Sequence, residues 1–349
     1  MPQMFFGEPV KIARFDRQEY PIFEKLTKQQ NGYFWTAEEV DVNRDRDDYR
    51  RLPETDQHIF TSNIKRQIVL DTKQGTAPSV AFLPIVSVPE LESWVTTWSY
   101  FETIHARSYQ HILQNVYTNP ADVLDHILDI EPIADLASDI STHYDRLVQF
   151  NNVYNVYDGT PSFEHKKALW MCLNSVNVLE GIRFYVSFAC SWAFAERKQM
   201  EGNAKIIKLI CRDENLHLAG TQHMLKQLPK DDPDFVKIAT TSRDEIVHLF
   251  EQAVDQEKKW AEYLFKDGSM VGLNYDMLVA YVEWIAAKRM HTIGLPSHFK
   301  GGSNPLPWTQ KWISGADVQV APQETEISSY IVGGIKKDVT ADTFKGLSL

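Results

Sequence analysis

Cysteine is scarce: the 349 residues include only Cys172, Cys190 and Cys211, with no CxxC pair. That excludes a disulfide scaffold. With no secretory leader at Met1-Pro2-Gln3-Met4, the expected compartment is a reducing cytoplasm, the three thiols serving as small buried apolar groups. Basic charge is also short, with 36 Lys and Arg against 47 Asp and Glu and a net charge of -11. This balance excludes nucleic acid and anionic membrane as general partners and leaves carboxylates available to metals. No long apolar run is free of charge. The most apolar, Ala168 to Ala195, carries Glu180 and Arg183 near its middle and reads as a buried helix, not a membrane span. Strand signals are few, and the best, Val80 to Val86, is demoted by Pro84. No GxxxxGK[ST] loop is present to cradle a phosphate.

Hydrophobic residues make up 43% and charged residues 24%, as in an ordinary soluble globular protein. Helix starts recur at long intervals: Pro89 with Glu90 and Glu92, Thr160-Pro161 before Glu164, Asn203, and Asn274. Pro120, Pro229 and Gly294-Leu295-Pro296 mark the stops. Runs of roughly 20 to 35 residues between them predict an all-α bundle of long helices. Arg44 to Arg51 alternates charge and reads as a solvated surface segment. From about residue 321 the composition cannot pack a core, which predicts a folded unit over 1–320 and a flexible tail over 321–349.

Two Glu-x-x-His motifs stand out, Glu102 with His105 and Glu214 with His217. On a helix this spacing places both side chains on one face, where they can share an ion. Each follows an acid in an apolar helical run, Asp71 lying 31 residues before Glu102 and Glu180 lying 34 before Glu214. At about 100° per residue, Glu102, His105 and Tyr109 fall in the stripe of Leu91, Trp94, Trp98 and Ile112, while Glu214 and His217 join Ile206, Ile210 and Met224. A third copy, Glu245 with His248, lies about 90° or more from its apolar stripe and reads as solvated. Four buried carboxylates and two imidazoles require compensation, since an isolated buried carboxylate costs several kcal/mol or more. The oxygen-rich set suits a pair of iron or manganese ions better than structural zinc. The bland alternative is a structural network in which Arg183, Lys208 and protonated acids satisfy these groups. Tyr109, one turn beyond His105, is replaced by Thr221 at the equivalent place after His217, so the two half-sites differ.

The arrangement resembles the small, radical-generating subunit of class I ribonucleotide reductase, of the class Ia type. The likeness is carried by Met4-Phe5-Phe6-Gly7, Glu38-Glu39-Val40-Asp41-Val42, Pro89-Glu90-Leu91-Glu92, Glu102 to His105 with Ser108-Tyr109, Glu180 to Phe188, Glu201 to Ile207, Arg212-Asp213-Glu214 with His217, Asp267 to Met270, and Ser328-Ser329-Tyr330. It implies a ferritin-like bundle in which Asp71, Glu102 and His105 hold one iron and Glu180, Glu214 and His217 the other, with manganese as an alternative. Tyr109 would be the stable radical, generated with oxygen, and Phe184, Phe188 and Ile210 its apolar pocket. Trp35, His105, Asp213 and Tyr330 would carry the oxidising equivalent to a large subunit that binds and reduces ribonucleotides. A homodimer is implied as well. The last residues, Thr343 to Leu349, are less acidic than the family's docking peptides. Two other readings stand beside this one: a ferritin-like ferroxidase or iron-storage protein, and a di-iron oxygenase with an open pocket beside its metals.

Overall fold

The computed structural model describes residues 3–157 and 159–314, with the side chains of residues 155–157 left out. Tyr330 and the predicted tail over 321–349 therefore lie outside the described residues. The chain runs through α1 (Pro21–Gly32), α2 (Asn43–Arg51), α3 (Glu54–Gln74), α4 (Ala77–Phe82), α5 (Pro89–Val116), α6 (Ala121–Leu124), α7 (Glu131–Tyr157) and α8 (Phe163–Val178). A π turn over Leu179–Arg183 leads into α9 (Tyr185–Glu196), followed by α10 (Glu201–Asp231), α11 (Pro233–Thr241), α12 (Arg243–Leu264), α13 (Tyr275–Thr292) and α14 (Gln310–Ile313). Among the described residues there is no β-strand, only isolated bridges at Phe5–Val86 and Met270–Leu273. The fold is all-α, as expected, and the Val80 to Val86 run forms the end of α4 and a 3₁₀ turn. No helix among the described residues is long and apolar enough to cross a membrane.

Several helix ends follow local chemistry. Pro89 opens α5 with Glu90 and Glu92 in its first turn, and Asn274 Oδ1 accepts the Met277 amide at 2.9 Å to open α13. Three boundaries depart from the sequence reading. Ser162, not Thr160, caps α8 by accepting the His165 amide at 3.1 Å. Pro229 lies inside α10, which continues to Asp231. Asn203 is also inside α10, because the caps come from α2: Asp45 accepts the Gly202 and Asn203 amides at 3.1 and 2.6 Å, and Asp48 accepts that of Met200 at 3.1 Å. The Arg44 to Arg51 segment is thus not simply solvated, since Asp45 and Asp48 are buried against the start of a distant helix.

Five helices form the centre. α3 packs on α5 and α9, and α10 packs on α5, α8 and α9. The apolar run from Ala168 to Ala195 is wholly buried apart from half-buried Ser175, but as two helices joined by the π turn and not as one. Cys172, Cys190 and Cys211 are free and buried, as expected.

Candidate metal centre

Three of the central helices and the π turn present donors to one interior point. Asp71 comes from the last turn of α3, Glu102 and His105 from α5, Glu180 from the π turn, and Glu214 and His217 from α10. All six are fully buried. Asp71, Glu102, His105 and Glu214 offer ligand atoms within 4.8 Å of one another, and so do Glu102, Glu180, Glu214 and His217. Glu102 and Glu214 belong to both groups. The π turn widens the helix at Glu180; such bulges interrupt helices at functional positions because they redirect one side chain without ending the helix.

The imidazoles are oriented by their neighbours. His105 Nδ1 lies 3.3 Å from Glu102 and 3.2 Å from Glu214, whereas its Nε2 faces Asp213 Oδ2 at 3.2 Å. Asp213 Oδ2 also accepts the Trp35 indole N–H at 2.8 Å, so Trp35, Asp213 and His105 form one buried chain. Arg212 donates to the other Asp213 oxygen at 3.3 Å. His217 Nδ1 lies 3.1 Å from Glu102 and 3.4 Å from Glu214. Two further donors hold the carboxylates: Gln74 Nε2 reaches Glu180 at 2.8 Å, and Trp98 Nε1 reaches Glu102 at 3.0 Å. Gln74 is itself fixed by the Tyr144 hydroxyl at 2.9 Å.

Electrostatically the cluster is unfinished. Burial, followed by the Glu102 charge, pushes Asp71 well above the usual carboxylate range; burial does the same to Glu180. Burial acts on Glu102 too, but hydrogen bonds from His105 and His217 outweigh it and hold the group down at about 2. Burial opposes protonation of His217, yet Glu102 and Glu214 raise it to about 10. Even so, both Asp71 oxygens and Glu180 Oε2 find no hydrogen-bond partner. Orphaned buried carboxylate oxygens within such a cluster fit divalent cations, which satisfy several carboxylates at once. The alternative network is not built from the expected cation: Arg183 pairs with Asp139, and Lys208 lies over the Trp312 ring. Glu245 and His248 are exposed, as their angular positions predict, with Glu245 bridged to Lys167 at 3.0 Å.

The remaining candidates are placed as follows. Tyr109 is fully buried; burial first and the Asp71 carboxylate second push its phenol well above the usual tyrosine range. Phe184, Phe188 and Ile210 are also fully buried, and the rings of Phe184 and Phe188 stack at 5.3 Å. Gln74 has no place in the sequence reading, and Arg212 enters it only within the Arg212-Asp213-Glu214 stretch that carries the resemblance. Gln74 could have been found, since it sits three residues after Asp71 on the same face; nothing in the spacing points to Arg212.

The family model described as the ribonucleotide reductase small chain matches residues 13–305. The chain belongs to that family. Small chains of ribonucleotide reductase similar to it include a ribonucleoside-diphosphate reductase 1 subunit beta of Salmonella typhimurium, 53% identical over 99% of this chain and 96% of the relative. The subunit beta of Enterobacteria phage T4 is 41% identical over 96% of this chain and 93% of its own length. Among solved structures, the reductase R2 subunit of Clostridium botulinum superposes with a TM-score of 0.78 at 22% identity, covering 89% of this chain and 94% of that one. A dimanganese(II) protein of Streptococcus sanguinis gives 0.69 at 20% identity over 87% and 100%. As a ribonucleotide reductase small chain, the protein is an oxidoreductase subunit whose bundle carries an interior suited to two metal ions.

Proposed function

We propose that the chain generates and stores the oxidising equivalent for reduction of ribonucleoside diphosphates by a large subunit. The observation that carries this reading is the pair of buried donor groups sharing Glu102 and Glu214. Asp71, Glu102 and His105 would hold one ion and Glu180, Glu214 and His217 the other, Glu102 and Glu214 facing both. When bound, two iron ions supply one-electron oxidising power drawn from oxygen; manganese, present in the Streptococcus relative, is the alternative metal. The protein's part is positioning and insulation. Gln74 and Trp98 fix Glu180 and Glu102, and Asp213 fixes the His105 ring so that Nδ1 faces the cluster. Tyr109 would give up an electron and the proton on Oη and persist as a neutral radical because it is fully buried, with the equally buried Phe184, Phe188 and Ile210 lining its pocket.

Trp35, Asp213 and His105 supply a hydrogen-bonded path away from the cluster, and we assign Tyr330 to its continuation toward the large subunit. Residues 1–320 would be the radical-generating unit and 321–349 the docking segment. A homodimer working in the cytoplasm completes the reading. Storage and oxygenase readings are disfavoured by the Trp35 path, which neither needs, and by the closed surroundings of Tyr109.

The test is to load metal-free protein with ferrous iron and oxygen, count bound metal and record the electron paramagnetic resonance spectrum. Two metal ions per chain and a tyrosyl signal are expected. Tyr109→Phe should keep both ions and lose the signal; a surviving signal would move the radical elsewhere. Removing residues after Pro322 should spare the signal and abolish turnover with the large subunit.

A further inference from the structure

A ladder of side chains leads from the donor cluster to the surface along the winding i, i+4 ridge of the π turn and α9. Glu180, Phe184, Phe188, Trp192 and Glu196 follow one another at intervals of four residues, spanning about 24 Å at helical rise. The rings are in sequence as well as in register: Phe184 to Phe188 is 5.3 Å and Phe188 to Trp192 is 5.6 Å between centroids. Beyond Trp192 the ladder leaves α9. Trp312 of α14 stacks on Trp192 at 6.1 Å with planes only 8° apart, and its indole N–H donates to Glu196 at 2.9 Å. Phe184, Phe188 and Trp192 are fully buried, whereas Trp312 is half-buried.

The outer end carries a cluster of lysines. Trp312 lines a surface cavity of about 490 Å³ whose rim carries Lys198, Lys205, Lys208 and Lys311 against Glu196 and Glu201. Lys311 pairs with Glu196 at 2.7 Å and Lys198 with Glu201 at 3.9 Å, and the remaining lysines leave a local positive excess in a protein of net charge -11. Lys311 and Lys208 hold their ammonium groups 5.6 and 6.0 Å from the Trp312 ring centre. Ammonium groups over an indole make it harder to oxidise and draw anions to it, an effect that the Lys311–Glu196 pair at 2.7 Å offsets in part. An oxidising equivalent inside the protein is therefore kept from leaking out through Trp312 until an anion in the cavity offsets the lysines. The Trp192 N–H finds no hydrogen-bond partner, so this ring has no base to take its proton and can relay charge only as an electron.

We propose that Trp312 and Trp192 form an electron-entry port, through which a small anionic one-electron reductant seated in the lysine-rimmed cavity reduces the oxidised interior. A cavity of this size suits a small organic anion. The inference rests on Tyr109 being the oxidised residue. With ascorbate as the probe, the ascorbate monoanion becomes the ascorbyl radical anion, one electron crosses Trp312 and Trp192, and the proton ascorbate releases is balanced by one taken up at Tyr109 Oη, restoring tyrosine. Phe188 need not be oxidised; it fills the gap that the electron crosses.

The experiment follows loss of the tyrosyl signal in the loaded protein after adding ascorbate, with the neutral donor tetramethyl-p-phenylenediamine in parallel. Trp192→Phe and Trp312→Phe should form the radical in full yield with unchanged spontaneous decay. Their reduction by ascorbate should slow roughly tenfold, equivalent to about 1.4 kcal/mol on the barrier. Lys198→Glu with Lys205→Glu should slow ascorbate and spare the neutral donor. In metal-free protein, iodide should quench the fluorescence attributable to Trp312 more strongly than caesium, and the lysine reversals should remove that preference. Unchanged ascorbate rates in both tryptophan variants would overturn the port. If wild-type protein gave no tyrosyl signal, the Tyr109 assignment would fall. The port would then be read from the rate at which ascorbate bleaches the loaded centre's visible absorbance, with the same dependence on Trp192 and Trp312 required.

Discussion

Single side chains carry the donor set, and they were legible because they interrupt apolar stripes. A glutamate or histidine among Leu91, Trp94, Trp98 and Ile112 has to be compensated, whereas Glu245 and His248 lie off their stripe and are exposed. What spacing cannot show is which neighbour steadies each donor. Gln74 bridges Tyr144 and Glu180, so Gln74→Leu should leave Glu180 loosely held and weaken metal binding by about 10- to 100-fold. Titration of metal-free protein against a competing chelator checks this; unchanged affinity would remove Gln74 from the site. His165 offers a separate test. It lies buried among Phe6, Phe150 and Tyr154 with Nε2 2.8 Å from Asn151 Oδ1, and burial lowers it to about 4. Because the folded value is below the unfolded one, its contribution is fully present above about pH 6.5 and is lost as pH falls toward 4, by at most about 1.4 kcal/mol per unit. Denaturation of metal-free wild type and His165→Gln should diverge at pH 7 and converge near pH 4; a gap independent of pH would contradict it.

At the level of elements, periodicity located long helices well and their ends less well. An acidic first turn or an Asn cap is local information, so α5 and α13 begin where expected. The start of α10 is not local: its acceptors, Asp45 and Asp48, sit more than 150 residues earlier, within a segment whose charges suggested only solvent. Likewise, an apolar run conceals a π turn, because one extra residue changes the direction of Glu180 without changing composition. Gly202 shows how closely the segment leading into α2 approaches: a Cβ there would lie 2.6 Å from the Asp41 carbonyl oxygen. Asp45→Ala should cost about 1 to 2 kcal/mol by removing two amide acceptors, and Gly202→Ala about 1 to 3 kcal/mol by forcing backbone apart. Denaturant titration of each variant gives these values, and a neutral Asp45→Ala would show that water replaces the cap.

The whole molecule ties these parts together by trapping like charges in a closed core. Orphaned carboxylate oxygens should make the metal-free protein less stable than the loaded one. At a free metal concentration 100 times the dissociation constant, binding should add about 2.7 kcal/mol for each independent ion. Calorimetry of metal-free and loaded protein should show a higher Tm with metal, and coincident transitions would mean that the carboxylates are neutralised by protons alone. The bundle itself was legible from helix lengths, and its metal suitability from the donor types. The cavity beside Trp312 was not, because it joins α9, α10 and α14 only after folding.

The donors are dispersed along the polypeptide, from Asp71 to His217. During synthesis at roughly 5 to 20 residues per second, the first would leave the ribosome about 7 to 30 seconds before the last. No complete cradle exists in that interval, so a nascent chain cannot capture its ions stepwise; the cofactor must enter a molecule whose translation through α10 is already finished.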